Sequence, residues 1–135
     1  MKTKLHKLIG MAVLGVTLQM QSLPAWAGLV SNTQVTILHG GNNGYDLIGA
    51  YGTLTGARYS ADTQQYIGCG VSFSNNIVCR AADKIGRQVY CSSTDPKFIA
   101  ALNAMTDSSY ISFRVVPSTG QCSELIVNNS SSNLR

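Results

Sequence analysis

Between residues 66 and 128, apolar and polar positions alternate in short runs separated by turn residues, the period-two pattern of half-buried strands. The clearest run is SYISFRVV (109–116), which sets Ile111, Phe113 and Val115 on one face. YIGCGVSF (66–73) and IVCRAAD (77–83) flank Ser74, Asn75 and Asn76, a turn that asparagine favours. RQVYCSS (87–93) follows through Lys84, Ile85 and Gly86, where the glycine accepts a positive φ, and QCSELIVN (121–128) follows the turn at residues 117–120. One segment changes period. Phe98, Leu102 and Met105 recur at i, i+4 and i+7 behind Asp95, a capping residue, and Pro96, suited to the first helical position; residues 106–109 end the helix. Upstream, VTIL (35–38) and LIGAYGTL (47–54) read as two strands on either side of the glycine-rich LHGGNNGYD (38–46). The pattern predicts an α+β fold, a mainly antiparallel β-sheet with one amphipathic helix.

The remaining apolar run is of another kind. Leu8 to Leu18 follows Lys2, Lys4 and Lys7 and precedes Ala25, Trp26 and Ala27, giving the basic start, apolar middle and small-x-small end of a secretion signal. Gln19 and Gln21 interrupt the run well short of the roughly 20 apolar residues that span a bilayer. The expected organisation is a signal peptide at 1–27, a glycine-rich region with short strands at 28–60, a cysteine-containing α+β core at 61–128 and a flexible tail at 129–135. Export to the periplasm or beyond follows, with no membrane anchor after cleavage. The first cysteine is Cys69, so no lipid-attachment cysteine follows the apolar run.

Cleavage changes the charge picture. The whole chain carries a formal +4, but three of its lysines precede Gly28. From Gly28 onward seven basic residues face six acids, a formal +1, without the clustered Lys and Arg that nucleic acid or anionic lipid would call for. Export also gives the four cysteines, Cys69, Cys79, Cys91 and Cys122, a setting in which they oxidise, so the chain reads as disulfide-stabilised. No C-x-x-C pair occurs and His39 is the one histidine after residue 27, which does not fit a zinc site; no metal or cofactor is expected. With residues 84–86 as a three-residue loop, Asp83 faces Arg87 and Cys79 faces Cys91. That register suggests Cys79–Cys91 and Cys69–Cys122 bonds among the three possible connectivities.

Candidate chemistry is sparse. No nucleophile elbow, H-E-x-x-H pair, P-loop or EF-hand loop is present. His39 would need an orienting partner such as Asp46 or Asp62 to act as a base, and in its glycine-rich setting it reads as a solvated loop residue. Asp83, Asp95 and Asp107 fall at a hairpin end, a helix cap and a helix exit, leaving Asp62 and Glu124 as the least committed acids. The cluster Gly40, Gly41, Asn42, Asn43 and Gly44 lacks the strand and helix of a phosphate loop. Tyrosine is the positive signal: Tyr45, Tyr51, Tyr59, Tyr66, Tyr90 and Tyr110 all lie beyond residue 27, among many Ser, Asn and Thr, a composition suited to recognition surfaces. By strand parity Tyr90 and Tyr110 point away from the core and are the candidate ligand-binding residues.

The segments YIGCGV, VCRAADKIGRQVYC, TDPKFIAALNAM, DSSYISFRV and GQCSELIVNNSS resemble a group of small exported bacterial proteins with four cysteines and no assigned activity. The resemblance spans residues 66–131, rests on cysteine spacing and strand pattern, and implies a fold but no catalytic residue. The functional expectation is an exported, non-catalytic binding or inhibitory module with a protein or carbohydrate partner. A small secreted hydrolase using carboxylates or His39, and a structural subunit of a cell-surface assembly, are the alternatives.

Overall fold

The computed structural model describes residues 31–40 and 46–133. The segment read as a signal peptide, the glycine cluster from Gly41 with Tyr45, and the last two residues lie outside the described residues. Two strands, β1 (Thr36–Gly40) and β2 (Asp46–Thr53), lead into a short helix α1 (Leu54–Arg58). Three more follow as consecutive hairpins, β3 (Tyr66–Val71), β4 (Ile77–Ala82) and β5 (Gln88–Ser93). Helix α2 (Pro96–Asn103) then connects to a last hairpin, β6 (Tyr110–Val116) and β7 (Gln121–Asn128).

All seven strands form one mixed sheet in the order β1-β2-β6-β7-β5-β4-β3. Among the described residues every pairing is antiparallel except β5 with β7, where Ser92 beside Gln121 is the single register pair and the Ser92 N–H donates to the Gly120 carbonyl at 3.0 Å. The strands of the glycine-rich region therefore belong to the same sheet as the cysteine-containing hairpins, joined through β2 and β6.

The alternation read from sequence is what closes the core. Ile77, Cys79 and Ala81 on β4, Val89 and Cys91 on β5, and Ile111, Phe113 and Val115 on β6 are all buried. The sheet curls around these side chains, so that β2 lies across β3 and β5, and β1 across β4. At one end its two outer strands are tied: the Val35 N–H donates to Gln65 Oε1 at 2.8 Å, joining the residues just before β1 and β3. Gln65 is itself buried, so this hydrogen bond is shielded from competing water.

Two helices replace the expected one. Thr53 caps α1, its Oγ1 accepting the Gly56 N–H at 2.9 Å. Five residues that include a glycine are too short to show a helical period, so sequence pattern extended the strand through Leu54 instead. In α2, Asp95 caps through the Lys97 N–H at 2.9 Å and Pro96 occupies the first turn, with Leu102 buried and Phe98 and Ile99 packed against the core. The described part of the tail carries a local structure of its own. Residues 131–133 form a 3-10 turn in which Asn133 is buried and its amide donates to the Asn128 carbonyl at 3.1 Å. A side chain amide, not an apolar group, holds this segment, and so apolar patterning gave no sign of it.

The cysteine pairing is corrected as well: the bonds are Cys69–Cys79 and Cys91–Cys122. The expected register of Cys79 opposite Cys91 holds, but Cys69 also stands opposite Cys79. The cause is a turn placed one residue early. Its loop is Phe73, Ser74 and Asn75, closed by the Ser72 N–H to the Asn76 carbonyl at 2.8 Å, with Asn75 at φ 56°. Backbone alternation then decides between the two neighbours of Cys79. Counting from the hydrogen-bonded pairs Ser72/Asn76 and Asp83/Arg87, Cys69/Cys79 is a non-hydrogen-bonded pair and Cys79/Cys91 a hydrogen-bonded one. Side chains lie closer in the former, and the Cα atoms of Cys69 and Cys79 are 4.0 Å apart.

A further constraint sits beside a bulge in β2, where Leu38 pairs with Gly49 and His39 with Leu47. Gly49 has φ 156°, and a Cβ there would stand 2.2 Å from the Phe113 carbonyl oxygen on β6. Gly49→Ala is expected to lower the unfolding free energy by more than about 1 kcal/mol, with urea denaturation as the measurement; an unchanged midpoint contradicts this tight β2–β6 approach.

Candidate functional site

Parity that buries Cys79 and Cys91 turns their neighbours outward. On the outer face of β3, β4 and β5 the register sets Gly68, Arg80 and Tyr90 in one row and Tyr66, Ala82 and Gln88 in the next. Arg80 and Tyr90 form a non-hydrogen-bonded pair by the same alternation, so their side chains rise close together. Tyr90 is 67% exposed and Tyr66 41%. Opposite Arg80, no atom lies within 4 Å of the place a Cβ on Gly68 would take, leaving the sheet face open at that position. Tyr66, Arg80, Gln88, Val89 and Tyr90 line a concavity of about 180 Å³. On the far side of Tyr66 lies a larger cleft of about 470 Å³, formed by α1, the start of β3 and the residues after α2, with Arg58 and Asp107 at its walls. Tyr66 lines both.

Charge in this groove is lopsided. Among the described residues the ion pairs are Arg87 with Asp83 and Arg114 with Glu124, so neither Arg80 nor Arg58 is neutralised by an acid. Arg80 is the one charged residue of the smaller concavity.

The two tyrosines singled out from sequence are not brought together. Tyr110 pairs with Asn128 at the end of β7, whereas β5 meets β7 at Gln121, seven residues or roughly 23 Å along the strand. Tyr110 packs instead beside Tyr51, ring centroids 6.3 Å apart, and burial pushes its phenol above the ordinary value. Tyr66, Arg80 and Gln88 were missed. The loop at residues 84–86 already set Arg80 opposite Tyr90, but Tyr66 needed the correct position of the preceding turn.

The two acids read as least committed, Asp62 and Glu124, both have structural partners. Asp62 closes its own loop, its Oδ1 accepting the Gln64 N–H at 2.9 Å and the Gln65 N–H at 2.8 Å. The Gln65 side-chain amide on Oδ2, with those two N–H groups, holds its carboxyl down to about 2. Glu124 pairs with Arg114 at 3.1 Å. Asp83 is buried; burial alone raises its pKa, but the Arg87 guanidinium at 2.6 Å and the Arg87 and Ile85 N–H groups outweigh it, and the net shift is downward. His39 lies on β1 rather than in a loop, and its partner is neither Asp46 nor Asp62. Arg87 only donates, so His39 Nε2 accepts from the guanidinium at 2.7 Å. The Sγ atoms of Cys79, Cys91 and Cys122 lie within 4.8 Å of one another, yet each is bound in a disulfide and offers no thiolate to a metal.

The arrangement can stack planar groups on two tyrosines and hold an anion or hydroxyl at Arg80 and Gln88. No known protein family, curated protein or solved structure matches the chain.

Because the Asp62 pKa is depressed in the folded chain, its contribution to stability is present above the unfolded carboxylate range and is lost as pH falls toward about 2. Asp62→Asn is expected to be less stable than the parent chain at pH 6, with the gap narrowing steadily from pH 5 to pH 2. Urea midpoints across that range measure it, and a gap independent of pH refutes the assignment.

Proposed function

We propose that this chain is an exported, non-catalytic binding module whose contact surface is the outer face of β3, β4 and β5. One observation carries the reading: two exposed tyrosines flank an arginine that no described acid neutralises, over a concave stretch of sheet. Sheet surfaces ordinarily interleave opposite charges, and an unpaired arginine sharing a concavity with two tyrosines suits contact with something else. The commitments of Asp62, Asp83, Glu124 and His39 to internal hydrogen bonds support the non-catalytic side of the reading. A general acid needs a raised pKa and a base needs a free, oriented lone pair; the Asp62 and Asp83 carboxyls are shifted the other way and His39 spends its lone pair on Arg87. Export rests on the signal-peptide reading of residues 1–27, with its apolar run from Leu8 to Leu18. Two disulfides, and the absence among the described residues of any helix long and apolar enough to cross a membrane, are compatible with an oxidising site outside the cytoplasm.

The test is retention of the purified protein on isolated cell envelopes. Tyr66→Ala combined with Tyr90→Ala is expected to weaken retention by about tenfold or more, at roughly 1 kcal/mol for each ring contact. Ile126→Ser, on the exposed outer face of the other half of the sheet, is expected to leave it unchanged. Equal loss in both variants, or retention indifferent to the tyrosines, overturns the placement of the site.

A further inference from the structure

We propose that the ligand of this groove is an acidic oligosaccharide, one whose rings carry carboxylate or sulfate groups; the proposal rests on the binding-module reading above. The polar lining is rich in donors. Arg80 brings five N–H groups, Gln88 an amide and Tyr66 and Tyr90 their hydroxyls, with no carboxylate among the described residues that line the smaller concavity. Such a set is matched by a ligand rich in acceptors and carrying negative charge, and the planar guanidinium takes a carboxylate or sulfate through paired hydrogen bonds.

Shape narrows the class further. The walls are side chains standing on the sheet face, not the free backbone edge of β3, so a ligand meets rings and a guanidinium rather than a ladder of peptide groups. Tyr66 and Tyr90 stand on β3 and β5 with the bare Gly68 backbone near them, which lets a flat ring settle against the face. Across Tyr66 the larger cleft presents Arg58, the second guanidinium without a described ion pair. Arg58 and Arg80 thus line two adjoining hollows that share Tyr66, which suits a chain of sugars with charge recurring along it, with Asp107 on the larger cleft to accept from a sugar hydroxyl. The formal charge of +1 from Gly28 onward argues against a nucleic-acid backbone, which demands a continuous basic track.

Isothermal titration of the protein with an oligogalacturonide, a chondroitin sulfate oligosaccharide and a neutral cello-oligosaccharide tests this. At least one of the two acidic probes is expected to bind, more than about tenfold tighter than the neutral one, and which of them does so identifies the anionic group. Arg80→Gln is expected to weaken that binding by about 10- to 100-fold with the thermal midpoint unchanged, and Arg58→Gln to weaken it less. Failure of both acidic probes overturns the proposal. So does a neutral probe that binds as tightly and is indifferent to Arg80→Gln, but if Tyr66→Ala with Tyr90→Ala abolishes that binding, the site itself stands and only its ligand class is wrong. Binding indifferent to both the tyrosine and the arginine substitutions removes the site as well.

Discussion

Where β5 meets β7, the ladder that runs through every other part of the sheet narrows to Ser92 beside Gln121. On one side of that seam lie the antiparallel strands β1, β2, β6 and β7, and on the other β5, β4 and β3. Each half is paired internally over five to seven residues per ladder, but among the described residues strand pairing joins the halves at only one register pair, with side-chain hydrogen bonds such as Val35 to Gln65 and Arg87 to His39 as the other polar ties. The Cys91–Cys122 bond crosses this seam from the buried side, one residue from the register pair. With a sequence separation of 31 between its cysteines it restricts the unfolded chain by about 3.7 kcal/mol, a large share of the margin of a domain this small. The curl of the sheet, and with it the buried contact of β2 across β3 and β5, depends on that join being held.

The candidate groove inherits its geometry from the same constraint and from the second disulfide. Its residues stand on β3, β4 and β5, all on one side of the seam. β3 is the outermost strand and carries glycine on both sides of Cys69, at positions 68 and 70, which weakens it as a strand. The Cys69–Cys79 bond fastens it to β4 on the inner face, directly under the row that holds Gly68, Arg80 and Tyr90. An edge strand without side chains at two positions leaves the outer face open at Gly68, and the covalent tie beneath keeps that opening in place.

Much of this was legible in the sequence, because strand and helix positions follow from period and from turn residues acting locally. Ile111, Phe113 and Val115 are buried as their alternation requires, and Cys79 faces Cys91 because the glycine at position 86 fixes its loop. What escaped depended on a single-residue choice or on polar side chains. Phe73 looked like the end of a strand yet lies fully exposed in the turn, and that shift hid both the Cys69–Cys79 bond and the nearness of Tyr66 to Arg80. Gln65, which ties the two edges of the sheet, and Asn133, which packs the tail, carry amides whose burial no apolar pattern announces. The partners of Asp62 and Glu124, the acids read as least committed, escaped for the same reason, since Gln65 and Arg114 meet them only through loop and register.

The claim that the Cys91–Cys122 bond holds the two halves together is tested most directly by comparing two double substitutions in urea. Cys69→Ala with Cys79→Ala is expected to cost about 3 kcal/mol, near the restriction of a 10-residue separation. Cys91→Ala with Cys122→Ala is expected to cost more than 4 kcal/mol, exceeding its loop-closure share because the seam loses its clamp as well. A loss at Cys91 and Cys122 equal to or smaller than that at Cys69 and Cys79 would contradict the account.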